Sequence, residues 1–290
     1  MLRNLFFMIG AHKTASTHFQ RSMVANADVL APYDVSIVPP VPIGTNLFPI
    51  KNLLRDKVDA KLLQAAGERF LETHGKDAKS IMLMNENIPG TLGANMLLAG
   101  DQLYKFGPKR LKRLLTLFPG HHHVIGLAIR NPATFVVSAW QEHLKGQQFH
   151  SFDDYVKGIN LNALSWVNYI ERMRDAVETD LPFVVWRYED YAEVRNQIVE
   201  LFAAPEAAEK ITWLEETSNQ GLSANALDFL KAVGLVNKKN RADAMEMFPR
   251  GPDAPPYSPF TVNQTAELTA LYNEQWSIIQ RMPGVHALTV

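Results

Sequence analysis

The residues best suited to chemistry lie near the start of the chain, in "GAHKTASTHFQ" at residues 10–20. A single lysine, Lys13, stands there among Ala11, Thr14, Ala15, Ser16 and Thr17. Small residues let a backbone come close to a ligand, the lysine supplies a full positive charge, and the three hydroxyls supply donors. The apolar run "NLFFMIG" before this stretch reads as a strand, and the segment after it as a helix. A turn between the two gathers the unpaired N–H groups of the helix start, where the helix dipole adds partial positive charge. The chemistry served is the binding of a phosphate or a sulfate. The plainer alternative is an ordinary turn with a solvated lysine. The nucleotide-triphosphatase loop G-x-x-x-x-G-K-[ST] fits poorly, because His12 stands where its second glycine belongs and the loop is too short.

A second stretch offers a second anion site. In "GLAIRNPATFVVSAWQEHL", Arg130 ends a strand, Asn131 is placed as a helix N-cap with Pro132 at the first helical position, and Ser138 follows about two turns in. A guanidinium forks onto phosphate oxygens through charge-assisted bonds, and Ser138 adds a hydroxyl. The alternative is an Arg130 paired with a carboxylate at a strand end, with Ser138 a small packing residue. His143, further along the same helix, is a candidate to face an acceptor.

The elements that must position these residues alternate. Strand candidates are 4–10, 80–86, 123–130 and 182–188, with a weaker one at 35–39. Helical patterns begin at "TASTHFQ", "DAKLLQAAG", "KRLKRLLTLF", "PATFVVSAW", "LSWVNYIERM", "YAEVRNQIVE", "SANALDFLKAVG" and "QTAELTALYNEQW". Gly75 suits the C-cap of the second. Glu189 and Asp190, in "VVWRYEDY", are expected to cap the helix that follows them. Strands alternating with longer helices predict an α/β fold, three layers deep, around a mostly parallel sheet. Near-continuous apolarity in the strongest strands fits a sheet covered on both faces. Pro-rich stretches near 31–50 and 247–261 read as functional loops inside one domain spanning residues 1–290.

Composition narrows the classes. The chain has 290 residues, 47% hydrophobic and 20% charged, ordinary globular values. A formal net charge of −1 gives no case for a nucleic-acid partner, so anion binding must come from local placement of charge. The absence of cysteine removes disulfides, thiolate nucleophiles and Cys-ligated zinc. The three histidines at 121–123 fall on a strand, where side chains alternate between faces, so they do not read as one metal site. No apolar run is long enough to cross a bilayer, and the N-terminus lacks the pattern of a signal peptide. A soluble, cytoplasmic protein without an integral membrane segment is expected.

These motifs carry a resemblance. "FFMIGAHKTASTHFQRSM" resembles the 5′-phosphosulfate loop of the PAPS-dependent sulfotransferases, and within it the bacterial form "HKTGTT" followed by "LQ". Lys13, Thr14, Ser16, Thr17 and Gln20 match; Ala15 stands where the family usually has glycine. "R-[DN]-P" followed by "S-x-[WY]" is similar to the family's 3′-phosphate element, at Arg130 and Ser138. "VVWRYEDY" and "SNQGLSANAL" resemble further segments of bacterial members, and Arg250–Gly251 is similar to a late "R-K-G" element without its lysine.

The resemblance implies a P-loop-like α/β fold and a sulfotransferase that uses PAPS as donor and releases PAP, without a metal. It implies that His12, Lys13, Thr14, Ala15, Ser16, Thr17, Arg130, Ser138 and Arg250 bind the nucleotide, with His12 orienting the loop. It implies that Lys13 neutralises charge on the bridging oxygen. It also implies a general base at the end of the second conserved strand, where this chain has Glu86; His143 is a histidine alternative. The plainer reading of Glu86 is a surface carboxylate before Pro89. The expected acceptor is a hydroxyl, with an amine second, on a small molecule, lipid or carbohydrate. Two other readings share the residues: a PAP- or PAPS-binding regulatory module without turnover, and a nucleotide or nucleoside kinase. Nothing in the sequence fixes the oligomeric state, and a homo-oligomer stays open.

Overall fold

In the segment "NLFFM" every residue after Asn4 is apolar, and all four of those side chains are buried, alternating between two opposite cores. Leu5 and Phe7 face one core; Phe6 and Met8 face the other. That alternation requires a strand covered on both sides. The structure, a computed structural model, describes residues 2–38, 48–55, 57–75, 77–177, 180–215, 221–252 and 254–290, with backbone alone at 94 and 95.

Six strands form the sheet: β1 Asn4–Met8, β2 Val35–Val38, β3 Ser80–Met84, β4 His122–Ile129, β5 Phe183–Arg187 and β6 Val285–Ala287. Their order is β6-β5-β4-β1-β3-β2, and every pairing is parallel. Parallel strands need long crossovers, and helices supply them. The helices of ten residues or more are α1 Ser16–Ala25, α2 Ala60–His74, α3 Gly107–Leu117, α4 Pro132–His143, α5 Trp166–Asp175, α6 Tyr191–Glu200, α7 Ala224–Val233, α8 Lys238–Met247 and α9 Val262–Ile279. Phe19 and Met23 of α1 and Val194 and Ile198 of α6 cover one face. The larger core on the other face takes side chains from α2, α3, α4, α5, α7 and α9. This is the expected three-layer α/β architecture.

The chain leaves β1 for one edge and returns at β4 on the other side, so the order reverses between them. Crevices at such a point, beyond the C-terminal strand ends, are where open α/β sheets hold ligands. The backbone here is drawn tight. Ile9 N–H donates to Gly126 O and Ala11 N–H to Ala128 O, both at 3.0 Å, which carries the β1–β4 ladder past the strand end. Gly10 between them has no room for a side chain: a Cβ would lie 2.7 Å from Ala128 N.

Several details depart from expectation. The early Pro-rich stretch contributes a short turn as well as β2, the weaker strand expected at 35–39; residues 39–47 lie outside those described. The late one is packed rather than loose, with isolated bridges pairing Ser223 to Pro256 and Gly251 to Ala254. Strand β6 and helix α8 are additions to the sequence reading. Among the described residues, no helix is long and apolar enough to cross a membrane.

Candidate functional site

A cleft of about 1000 Å³ opens at this reversal point. Lys13, Ala15, Ser16, Thr17, Glu86, Arg130, Ser138 and Arg250 line it, so eight of the sequence candidates converge from four separate segments. Three candidates do not reach the lining. Thr14 is fully buried, its hydroxyl donating to Ala11 O at 2.6 Å, and so it braces the loop from within. His12 is also buried beneath the loop. His143 corrects an expectation: it is on α4 but its ring packs against His150 and Tyr155, away from the cleft.

The loop geometry explains its residue types. Lys13 and Ala15 both adopt left-handed backbone, with φ of 63° and 61°. Glycine takes that conformation freely, while a Cβ carries a cost, so Ala15 sits where glycine would be unstrained. Ala15 is also the N-cap of α1, and no described side chain caps that helix. The first intrahelical bond there runs from Phe19 N–H to Ala15 O. The amides of Ser16, Thr17 and His18 therefore have no partner within the helix and lie where an anion is favoured.

Two carboxylates hold the loop's other donors. Glu142 Oε2 accepts from Lys13 Nζ at 3.0 Å, and its Oε1 accepts from Lys145 Nζ at 2.5 Å. Burial alone raises the Glu142 pKa, but the Lys145 hydrogen bond and the Lys13 charge together outweigh it and leave the group below its ordinary range. Glu86 Oε2 accepts from Ser16 Oγ at 2.6 Å. Glu142 and Lys145 were not among the sequence candidates. They lie four and seven residues beyond Ser138, the spacing that keeps side chains on one helix face, and that periodicity was the available signal.

The Arg130 end is built differently. Its Nη1 donates to Lys13 O at 2.6 Å and its Nε to Thr134 Oγ1 at 3.0 Å. Its guanidinium lies 4.3 Å from the ring centre of Tyr188, a cation–π contact. Burial draws its pKa down from the usual arginine value, which leaves it charged. Asn131 caps α4 as expected, accepting from Ala133 N–H at 3.0 Å.

The "RYED" stretch does not act as expected. Glu189 Oε1 accepts from Asn131 N–H and its Oε2 from Tyr272 OH, both at 2.9 Å. It ties the start of α4 to α9 instead of capping α6. Asp190 takes both its carboxylate oxygens to Arg187, at 2.7 and 2.9 Å, and α6 has no side-chain cap. In the segment "SNQGLSANAL", residues 218–220 lie outside those described; Ser223 caps α7 through Ala226 N–H. His121 and His123 meet backbone partners: Arg3 N–H donates to His121 Nδ1, and His123 Nε2 lies 2.9 Å from Phe118 O.

No family model matches the chain, and no curated protein does. Among solved structures, a chain from the PezAT chromosomal toxin–antitoxin system of Streptococcus pneumoniae is similar. It is 9% identical over 84% of this chain and 87% of that one, with a TM-score of 0.27. A likeness at that score carries no functional weight.

Proposed function

We propose that the protein is a sulfotransferase that moves a sulfuryl group from PAPS to an acceptor hydroxyl. The observation that carries this reading is the meeting, in one cleft, of the Lys13 loop with Arg130 and Ser138. A nucleotide with phosphate at both its 5′ and 3′ positions asks for two cationic sites, and this cleft offers two of different build. The donor set fits an anion: free helix-start amides, a lysine, and the Ser16 hydroxyl already turned toward a carboxylate oxygen. PAPS would supply an activated sulfuryl group on its 5′-phosphate.

Each residue then has a task. The amides of Ser16 and Thr17 and the two hydroxyls hold the 5′ end. Lys13 balances the charge that develops as the sulfuryl group departs, which places full charge where the transition state needs it. Arg130 and Ser138 take the 3′-phosphate, and Arg250 on the late loop is positioned to add to it. Glu86 serves as the base that accepts the acceptor's proton; its carboxylate borders the cleft and is within hydrogen-bond reach of Ser16. His143 has no such access and drops out as a base. The acceptor is a hydroxyl on a small molecule, lipid or carbohydrate.

Thermal unfolding with PAP, ADP and ATP tests the reading. A ligand at 100 times its dissociation constant stabilises a fold by about 2.7 kcal/mol. PAP is expected to do so, ADP much less, and Ser138→Ala, which removes one cleft-lining hydroxyl, is expected to narrow the difference. Stabilisation by ATP in preference to PAP overturns the reading in favour of a kinase. PAP binding with no sulfate transferred to any of a panel of hydroxyl and amine acceptors favours a binding module.

A further inference from the structure

Three of the four described non-glycine residues with left-handed backbone bear on the loop. Two are Lys13 and Ala15; the third is Tyr104, at φ 47°. A bulky aromatic in that region is a strained exception, and such strain persists where surrounding structure enforces it. Tyr104 is fully buried, held by its own N–H on Leu97 O and by its carbonyl accepting from Gly107 N–H. The result of this contortion is to set one hydroxyl under the loop. Tyr104 OH accepts from His12 N–H at 3.0 Å and lies 2.9 Å from His12 Nδ1.

The proton count follows. Tyr104 OH has one proton, and among the described residues its acceptor in reach is His12 Nδ1. A buried hydroxyl left without an acceptor is costly, so the proton goes there and Nδ1 is the acceptor. The ring proton is then on Nε2, which faces Asn87 Oδ1 at 3.4 Å. Asn87 is itself pinned, its N–H donating to Asn85 Oδ1 at 2.9 Å. His12 precedes Lys13, and Asn87 follows Glu86. The chain Tyr104–His12–Asn87 thus ties together the two backbone segments that carry the lysine and the carboxylate of the cleft.

We propose that Tyr104 is a positioning residue: its hydroxyl holds His12 as a neutral ring protonated on Nε2, and through that ring fixes Lys13 relative to Glu86. Neither Tyr104 nor His12 lines the cleft, so neither is a catalytic residue. The effect on sulfuryl transfer rests on the function proposed above; the tautomer and the bracing do not.

A direct test uses nitrogen NMR of the imidazole in the full-length protein. Its expected result is an unprotonated Nδ1 and a protonated Nε2 throughout the neutral range. The charged groups facing the ring are Glu86, Lys13 and Glu142. In Tyr104→Phe, Nδ1 loses its donor, and the ring is expected to take up a proton at a higher pH than in the wild type. PAP affinity is expected to fall about tenfold, the size of one lost hydrogen bond. The control is Tyr169→Phe. Tyr169 is the buried neighbour whose ring lies 5.3 Å from Tyr104, and its hydroxyl has no partner among the described residues. This change is expected to leave both the His12 titration and PAP affinity as in the wild type. A ring protonated on Nδ1 overturns the proposal, as does a Tyr104→Phe protein whose titration and affinity match those of Tyr169→Phe. Should the wild type fail to bind PAP, the sulfuryl reading falls while the NMR arm still decides the positioning.

Discussion

The two cationic ends of the cleft solve one problem in opposite ways. At the loop, Lys13 is neutralised by Glu142, and the nearby Ser16 hydroxyl donates to Glu86. At the other end Arg130 meets a carbonyl, a hydroxyl and the face of Tyr188, while the nearby carboxylate, Glu189, is turned to Asn131 and Tyr272. A cation held by neutral groups is prebuilt for an incoming anion and needs no partner displaced. A cation already paired must exchange one carboxylate for another anion. The loop end is thus the adjustable half and the Arg130 end the fixed half. The two are joined, since Arg130 Nη1 bonds the Lys13 carbonyl.

Removing the fixed half gives the largest expected effect. Arg130→Ala leaves Lys13 O without a donor and abolishes the charge, at about 2–3 kcal/mol of ligand stabilisation. In unfolding scans PAP is then expected to act no better than ADP. Arg130→Lys keeps the charge but loses the fork and the stacking, and is expected to recover less than half of the response. An unchanged PAP response in Arg130→Ala breaks the comparison outright. Next in size is Gly10→Ala, at the joint between the halves. Its Cβ would meet Ala128 N at 2.7 Å, two residues before Arg130. Forcing a methyl into that ladder costs about 2 kcal/mol, measured as the shift of a urea unfolding midpoint.

What the sequence made legible follows from how local each signal was. Strands β1, β3, β4 and β5 stand out because both faces are buried over most of their length, so each carries a run of consecutive apolar residues. Strand β6 is three residues, "VHA", at the edge of the sheet and partly exposed, and short edge strands have no pattern to read. Helix α8 carries one buried side chain, Ala244, and gives almost no hydrophobic stripe. In the cleft, Lys13, Arg130 and Ser138 were legible by residue type and position on their elements. The roles of Glu142 and Glu189 were not. Glu142 meets a lysine 129 positions away, and Glu189 meets an amide 58 positions away. Such pairs are set by tertiary packing, and a local rule such as helix capping misassigns them. Tyr104 was hidden for the same reason, with its partner 92 positions off.

The adjustable half can be loosened without touching the fixed one. Glu142→Gln keeps the size of the side chain and removes the charge that competes for Lys13, so PAP affinity is expected to rise about tenfold, or ~1.4 kcal/mol. The pH dependence of stability has a definite sign. Glu142 has a lowered pKa when folded, so its contribution is present above the ordinary carboxylate value of 4.5 and is lost as pH falls through the folded value. The wild type is therefore expected to lose more stability than Glu142→Gln on acidification below about pH 4.5. Equal acid sensitivity, or weaker PAP binding by the variant, removes Glu142 as the exchanging group.

The smallest effect concerns Ala15, where a Cβ occupies a left-handed position at φ 61°. Left-handed backbone costs an ordinary L-residue about 1–2 kcal/mol, and glycine escapes that cost. Glycine also gives the unfolded chain more freedom, which returns about 0.4–1 kcal/mol of the gain. Ala15→Gly is therefore expected to stabilise the protein by about 0.5–1 kcal/mol, a small upward shift of the unfolding midpoint. If the loop end is the adjustable half, the relief should also show in the ligand: PAP association speeds up while dissociation from the Arg130 end stays the same. A variant that is less stable than the wild type means that the alanine is not strained. The left-handed turn would then be held by contacts the methyl group makes, among them its packing against the core beside Phe19.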